Sequence, residues 1–322
     1  MARPHAPRTR VSTYLSDWMP TNDLPYQFRS GYIGGGNSAG SVTAIFKNTF
    51  PADTASTLSA TLTSGVSSLA GFVDSGVAGY FVGGNDGARV TTIDKLTFPL
   101  DSKTTLGTGL SAANFRLGAW SNNGVACYAV GGNPSAGTVG TVDKFAMPAE
   151  TRTTGTSLTT ARREAASFSN NAVAGYIAAG NSGSYLNSME KQTFPSDTAT
   201  AVTATTTTAL EVLSAFSNSG TAGYIIGGGD TLSTYYDTVD KLTYSTETKS
   251  TLGTGLIGVR AYLSGYADVG VAGYALGGQN QANTYQTTVD KFAFPSDTRS
   301  VGTPLPNTKS GLAGAFADCG VF

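Results

Sequence analysis

One short pattern recurs six times along this chain: GYIGGG from Gly31, GYFVGG from Gly79, CYAVGG from Cys127, GYIAAG from Gly175, GYIIGG from Gly223 and GYALGG from Gly273. The marker tyrosines are Tyr32, Tyr80, Tyr128, Tyr176, Tyr224 and Tyr274, and successive ones lie 48, 48, 48, 48 and 50 residues apart. A unit of that length cannot bury an apolar face alone, so a fixed period of this size means units that stack on one another. Three further segments keep step. One runs through TAIFKNTF, TTIDKLTF, TVDKFAM, SMEKQTF, TVDKLTY and TVDKFAF, with Lys47, Lys95, Lys144, Lys191, Lys241 and Lys291 in register. Another is rich in Thr and Ser, as in STLSATL and STLGTGL. The last leads into a tight turn, as in GFVDSG, AWSNNG, SFSNNA, AFSNSG, GYADVG and AFADCG.

Each segment is short, aromatic or β-branched, and bounded by Gly, Pro, Asn or Asp, which is how strands are written. The Asx-X-Gly turns (Asp74-Ser75-Gly76, Asn122-Asn123-Gly124) tolerate positive φ and predict hairpins. In the Phe-Pro-X-Asp-Thr turns (194–198, 294–298), Pro presets φ and Asp is expected to hydrogen-bond nearby backbone amides. No stretch keeps a capped helical period, a turn near 161–166 aside. The chain therefore predicts an all-β fold with four strands per repeat, the pattern of a β-propeller. Counting outward from the centre, the FSN-type strand is first, the GY strand second, the DK strand third and the Thr-rich strand fourth. The chain starts on a second strand (Gly31) and stops inside a first one (316–322), so its two ends complete a sixth blade between them. The expectation is a six-bladed propeller over 31–322 behind an extended N-terminal arm, 1–30.

Composition removes most chemistry. Charged residues are 13% of the chain, 20 basic and 21 acidic side chains leave a net charge of −1, and His5 is the single histidine. That excludes a histidine metal cluster and gives no electrostatic case for nucleic acid or an anionic membrane. Two cysteines, Cys127 and Cys319, make neither a disulfide framework nor a zinc site and are expected as free thiols. No apolar run approaches the roughly 20 residues of a membrane helix, and the N-terminus lacks the apolar core of a secretory signal.

The apolar strand ending in Gly-Gly (83–84, 131–132, 227–228, 277–278), followed by Val-Asp-Lys-Phe and a Pro/Asp turn, resembles the kelch repeat. The late kelch tryptophan is replaced by Thr/Ser strands, so the set is divergent. The near-identical units of GYxxGG, TIDKLTFPSDT and LSTLGTGL are similar to kelch-like repeat proteins of bacteriophages, cyanophages in particular. That resemblance implies a virion or tail component, located on the phage particle and assembled in the host cytoplasm.

Length variation is concentrated between second and third strands, on one face of the ring. The loops there hold Asn181, Tyr185, Asp230, Tyr235, Tyr236, Asn280 and Tyr285. Flat amphipathic rings among planar hydrogen-bonding groups suit a glycan or protein ligand, though the same rings also suit packing of loop against loop. The once-per-blade acids Asp53, Asp101, Glu150, Asp197, Glu247 and Asp297 are expected to be structural turn residues. The Asp-Lys pairs are expected to make blade-to-blade ion pairs, with Phe46 standing where the closing blade would have its acid. In the arm, Tyr14, Leu15, Trp18 and Met19 form an apolar cluster with no core of its own, expected to dock on other virion or tail proteins. The reading is a non-enzymatic recognition module with no cofactor, no metal, no nucleic acid and no membrane insertion. The alternatives are an intracellular kelch-type scaffold, or a carboxylate-pair glycosidase drawing on Asp86, Glu164, Glu211, Asp230 and Asp237.

Overall fold

Six antiparallel four-stranded sheets stand around one axis, each presenting its first strand to the centre. The computed structural model describes residues 29–38, 40–231, 234–308 and 313–318. Blade 2 comprises Ala70–Asp74, Ala78–Val82, Ile93–Thr97 and Ser102–Thr105, and blades 3 to 6 repeat that order. Blade 1 is the composite. Its inner strand, Gly314–Asp318, pairs antiparallel with Ser30–Gly34, with Tyr32 opposite Phe316, and Val42–Thr49 and Thr54–Val66 complete it. The inner strand of blade 1 lies against those of blades 6 and 2, so the ring is closed. No helix occurs among the described residues, including 161–166, and none is long and apolar enough to cross a membrane.

The Gly-Tyr motif has a packing cause. At Gly223 an added Cβ would land in the ring of Phe168, on the inner strand of the preceding blade, and at Gly79 it would land in Phe316. Each inner-strand aromatic thus lies over the second strand of the next blade, and glycine is the side chain that leaves room for it. In blade 3 Cys127 takes that position as a buried free thiol packed with Phe72.

The neighbouring tyrosine reaches sideways. Tyr32 donates to Asp101 (2.8 Å), Tyr128 to Asp197 (2.8 Å) and Tyr274 to Asp53 (2.7 Å), always in the turn before the fourth strand of the next blade. The third-strand lysine of the same blade pairs with the same carboxylate, as in Lys47–Asp101 at 2.7 Å, Lys95–Glu150 at 2.6 Å and Lys191–Glu247 at 2.6 Å. Burial and these carboxylates push the Tyr80, Tyr128, Tyr224 and Tyr274 phenols up. The six turn acids are structural, as expected, but the expected bonding is corrected. Their carboxylates are held by the preceding blade, while each acid itself takes a φ between 51° and 56°.

The third-strand acid works in the opposite direction. Asp94 accepts from the Thr63 amide and hydroxyl (2.7 and 2.6 Å), Asp240 from those of Thr207 (2.7 and 2.7 Å), and Glu190 from those of Thr159 (2.7 and 2.6 Å). Every blade with such an acid is therefore fastened to both neighbours, and in blade 1 Phe46 replaces the acid by apolar burial. Single half-exposed ion pairs contribute about 1 kcal/mol or less. Hydrogen bonds onto backbone amides and hydroxyls therefore hold these junctions alongside the ion pairs.

The two ends of the ring differ. The turn face carries the inner hairpins and the Pro turns. There the Ser75 amide donates to Asn123, the Asn123 amide to Asn171 and the Asn171 amide to Ser219, tying turn to turn across 48 residues. The loop face carries the second-to-third-strand loops and the connections into the next blade, bridged to each other at Ser67–Asn85, Arg163–Asn181 and Glu211–Gly229.

Candidate functional site

At the centre of the loop face the connections form a collar of backbone hydrogen bonds. The Arg116 amide donates to the Ser68 carbonyl (2.8 Å), Glu164 to Arg116 (2.9 Å), Val212 to Glu164 (2.9 Å) and Tyr262 to Val212 (2.9 Å). All five residues are non-glycine with φ between 54° and 59°. A left-handed backbone costs about 1–2 kcal/mol at each such residue. The collar repays this with interblade bonds, and it brings Arg116 and Glu164 together.

Glu164 is the most perturbed of them. It is 4% exposed and lies 3.1 Å from Arg116 and 3.5 Å from Arg163. Burial pushes its carboxyl up to about 7; Arg116 opposes that, while the charge of Glu211 and a hydrogen bond shared with it reinforce it. Asn181 in turn donates to Glu211 (2.8 Å). Arg116 also covers one side of the Phe115 ring and Arg89 stands over it as well, at 4.8 and 5.0 Å. Tyr262 makes an edge contact with Tyr235 at 6.4 Å, and burial pushes its phenol up to about 12.

The loop residues read from sequence divide into two groups. Tyr185, Tyr235 and Tyr236 are half-buried on blades 4 and 5, and the Tyr185 phenol is pushed up by burial and by the charges of Glu211, Asp230 and Glu164. Tyr236 donates to Asp230 (2.6 Å), and Tyr235 is braced by Gln281 and Asn283 of blade 6, at 2.8 and 3.4 Å. Tyr185 feels the charges of Glu211, Asp230 and Glu164, Tyr235 meets Tyr262, and Tyr236 joins the group through Asp230. Asn181 ties its own loop to Glu211, whereas Asn280 and Tyr285 bond within their own loop. Asn181 is buried and accepts from Gly183 (2.7 Å), Asn280 accepts from Ala282 and Thr284 (3.1 and 2.9 Å), and Tyr285 bridges Gln279. Tyr14, Leu15, Trp18, Met19 and Cys319 lie outside the described residues. No group of three or more potential metal ligands occurs among the described residues.

Sequence reasoning missed two buried arginines. Arg162, 0% exposed, donates to the Ala179 and Ser188 carbonyls (2.9 Å each) and pairs with Glu190 at 2.5 Å. Arg260 does the same two blades further on, bonding the Gly277 and Thr288 carbonyls (2.7 and 3.1 Å) and pairing with Asp290.

The raised carboxyls give a pH dependence of defined sign. Glu164 (usual value 4.5, here about 7) and Asp268 (usual value 3.8, here about 6, raised by burial against Arg29) bind protons more tightly folded than unfolded. Stability therefore falls as pH rises from about 4.5 to 7. Thermal melts at constant ionic strength are expected to show a lower Tm at pH 8 than at pH 5. Glu164→Gln should flatten that slope by an amount on the order of 1–3 kcal/mol. A Gln variant with the parent's full slope would contradict this account.

No protein-family model matches the chain, and no curated protein is significantly similar to it. What fold and site define is a class: a six-bladed propeller whose loop face gathers tyrosines, amides and paired carboxyls in the manner of an interaction module.

Proposed function

We propose that this chain is a non-enzymatic recognition module of a bacteriophage particle. In this reading the propeller is a tail- or fibre-associated part, assembled in the host cytoplasm and carried on the virion. Its loop face contacts a glycan or protein of the host surface, and residues 1–30 attach it to other virion proteins. The observation that carries the recognition part is the convergence of Tyr185, Tyr235, Tyr236 and Tyr262 with Asp230 and Glu211 on one face. Rigid amphipathic rings give contact area at low entropic cost, and planar amides and carboxyls give direction. The phage part rests on the kelch-like wording of the repeats.

The Glu164–Glu211 pair is the one feature that favours an enzyme. Glycoside hydrolysis needs carboxyls about 5–5.5 Å apart, or about 6.5–9.5 Å with a water between them. Glu164 is 4% exposed and paired with Arg116 and Arg163, so it offers a sugar little surface. Binding fits this geometry better than catalysis.

The test is a glycan array and whole-cell binding with Tyr185→Ala/Tyr235→Ala, using Tyr285→Ala as the comparison. The double variant is expected to bind about tenfold more weakly with little change in Tm. Tyr285→Ala should bind as the parent does. Unchanged binding by the double variant would remove the tyrosine face from the reading, and binding confined to cytoplasmic proteins would favour an intracellular scaffold.

A further inference from the structure

One cation on the loop face has no counter-ion. Among the described residues, every lysine and arginine but one lies within 4.0 Å of a carboxylate oxygen, and the exception is Arg89. Lys47 shows the usual arrangement: it stands over the Tyr32 ring at 5.4 Å and also reaches Asp101 at 2.7 Å. Arg89 stands over the Phe115 ring at 5.0 Å, its Nε is buried without a hydrogen-bond partner, and no carboxylate answers its charge among the described residues. Asp86, the acid of its own loop, accepts from the Ala88 amide at 3.3 Å instead. Arg116 approaches the same ring at 4.8 Å, and its carboxylate, Glu164, is shared with Arg163. A guanidinium carries five donors in a planar fork and no acceptor, and an aromatic ring beneath it fixes the plane. Blade 2 thus presents a fork without its anion.

Its place in the ring shows what the fork would meet. Arg89 is bridged to Asn85 as Tyr185 is to Asn181 in blade 4 and as Tyr235 is to Gly229 in blade 5. Arg89 therefore holds in blade 2 the loop position that the recognition tyrosines hold in blades 4 and 5. Phe115 likewise precedes the collar residue Arg116, as Glu211 precedes Val212. A ligand lying on Tyr185 and Tyr235 and crossing the collar comes to Arg89. Flat rings suit the face of a sugar, and an unanswered fork suits a carboxylate taken in two parallel bonds. Peptide partners are anchored by apolar side chains at the centre of an interface. Among the described residues the large apolar side chains left exposed are Val77, Leu100, Val125, Val173, Ile257, Val271 and Val301, and none belongs to a loop between second and third strands.

We propose that the loop face binds an acidic saccharide, its carboxylate held by Arg89 on the Phe115 ring and an uncharged part of the same chain resting on Tyr185 and Tyr235. This rests on the recognition reading above and narrows it to the charge and class of the ligand. Holding the guanidinium on a ring before the ligand arrives lowers the ordering cost of binding, and the tyrosine rings add area rather than charge.

The test uses the full chain on an array of uronate and sialate oligosaccharides, printed beside the same saccharides as methyl esters, beside neutral saccharides and beside polyglutamate. The parent is expected to bind acidic saccharides about tenfold more tightly than their esters. Arg89→Gln should bind acid and ester alike. Arg299→Gln, which takes the same charge from the fourth strand of blade 6, should keep the parent's preference. Arg89→Lys keeps the charge without the fork and should fall between parent and Arg89→Gln; it decides alone if Arg89→Gln fails to fold. Equal binding of acid and ester by the parent, or an acid preference that survives both Arg89 variants, would overturn the proposal. Binding to neutral saccharides only would overturn it and leave the recognition reading standing. Tighter binding to polyglutamate than to any saccharide would overturn it in favour of a peptide, and no binding to the array or to whole cells would remove the recognition reading along with it.

Discussion

A chain ending at Thr308 is expected to lose its cooperative thermal transition altogether. The strand Gly314–Asp318 is the inner strand of blade 1 and has no substitute elsewhere in the sequence. Removing it strips the ladder partner from Ser30–Gly34 and the lateral neighbour from the inner strands of blades 6 and 2. Phe316 fills the hollow over Gly79, stacks on Tyr32 and lies tilted against Phe81, with centroids 5.4 and 4.9 Å away. Loss of one such buried ring costs about 3–5 kcal/mol, against a total stability of about 5–15 kcal/mol. Here the strand goes with it and two blade junctions open at once. Circular dichroism should show strand content without a sharp melt, and adding a peptide of residues 309–322 should restore part of the transition. Phe316→Ala is the graded form, about 3–5 kcal/mol less stable but still closed. A truncated chain melting cooperatively within a few degrees of the parent would mean that the ends do not seal the ring.

That closure was legible because a repeat advertises its own omissions: a second strand without a first at Gly31, and a first without a second at 316–322. The Gly-Tyr pair was legible as strand, and its cause became visible only with the neighbour in place. Phe168 stands over Gly223, 55 residues on, which the period announces without naming the partner. The local bonds expected of the turn acids were missed for the same reason. Asp101 recurs where a turn residue should, so a local bond was the economical expectation, yet Tyr32 reaches it across 69 residues of sequence. The loop site divided on satisfaction of polar groups. Asn181 and Asn280 look like ligand-facing amides until their bonds to Glu211, Gly183, Ala282 and Thr284 are counted. The collar had no residue signature, because Ser68, Arg116, Glu164, Val212 and Tyr262 share a backbone conformation rather than a side chain. Glu164 and Glu211 were visible as acids outside the repeating positions, and only the fold brings them together.

Arg162→Met is expected to cost about 3–5 kcal/mol, more than any surface ion pair in the ring. The guanidinium is fully buried, and burial lowers its pKa against the pull of Glu190. It satisfies the Ala179 carbonyl at the root of the blade 4 loop and reinforces the Ser188 carbonyl, which also accepts from the Ala179 amide, so methionine would leave Ala179 without the arginine's donor. Glu190 is a different matter. It keeps bonds from the Thr159 amide and hydroxyl and the Thr160 amide (2.7, 2.6 and 3.0 Å); burial raises its carboxyl, and the Thr159 bonds together with Arg162 hold it below its usual value. Glu190→Gln should therefore cost less than Arg162→Met, and Arg162→Met/Glu190→Gln should be no worse than Arg162→Met alone, because the charge left behind has gone as well. Blade 3 supplies the natural control. There Asn114 stands in the arginine's place and donates to the Gly131 carbonyl at 2.8 Å, so Arg162→Asn should retain part of what methionine loses. Denaturant melts of the four variants check the order. Equal costs for Met and Asn would show that the arginine acts through its charge on Glu190, and the carbonyl account of these buried arginines would then fail at Arg260 too.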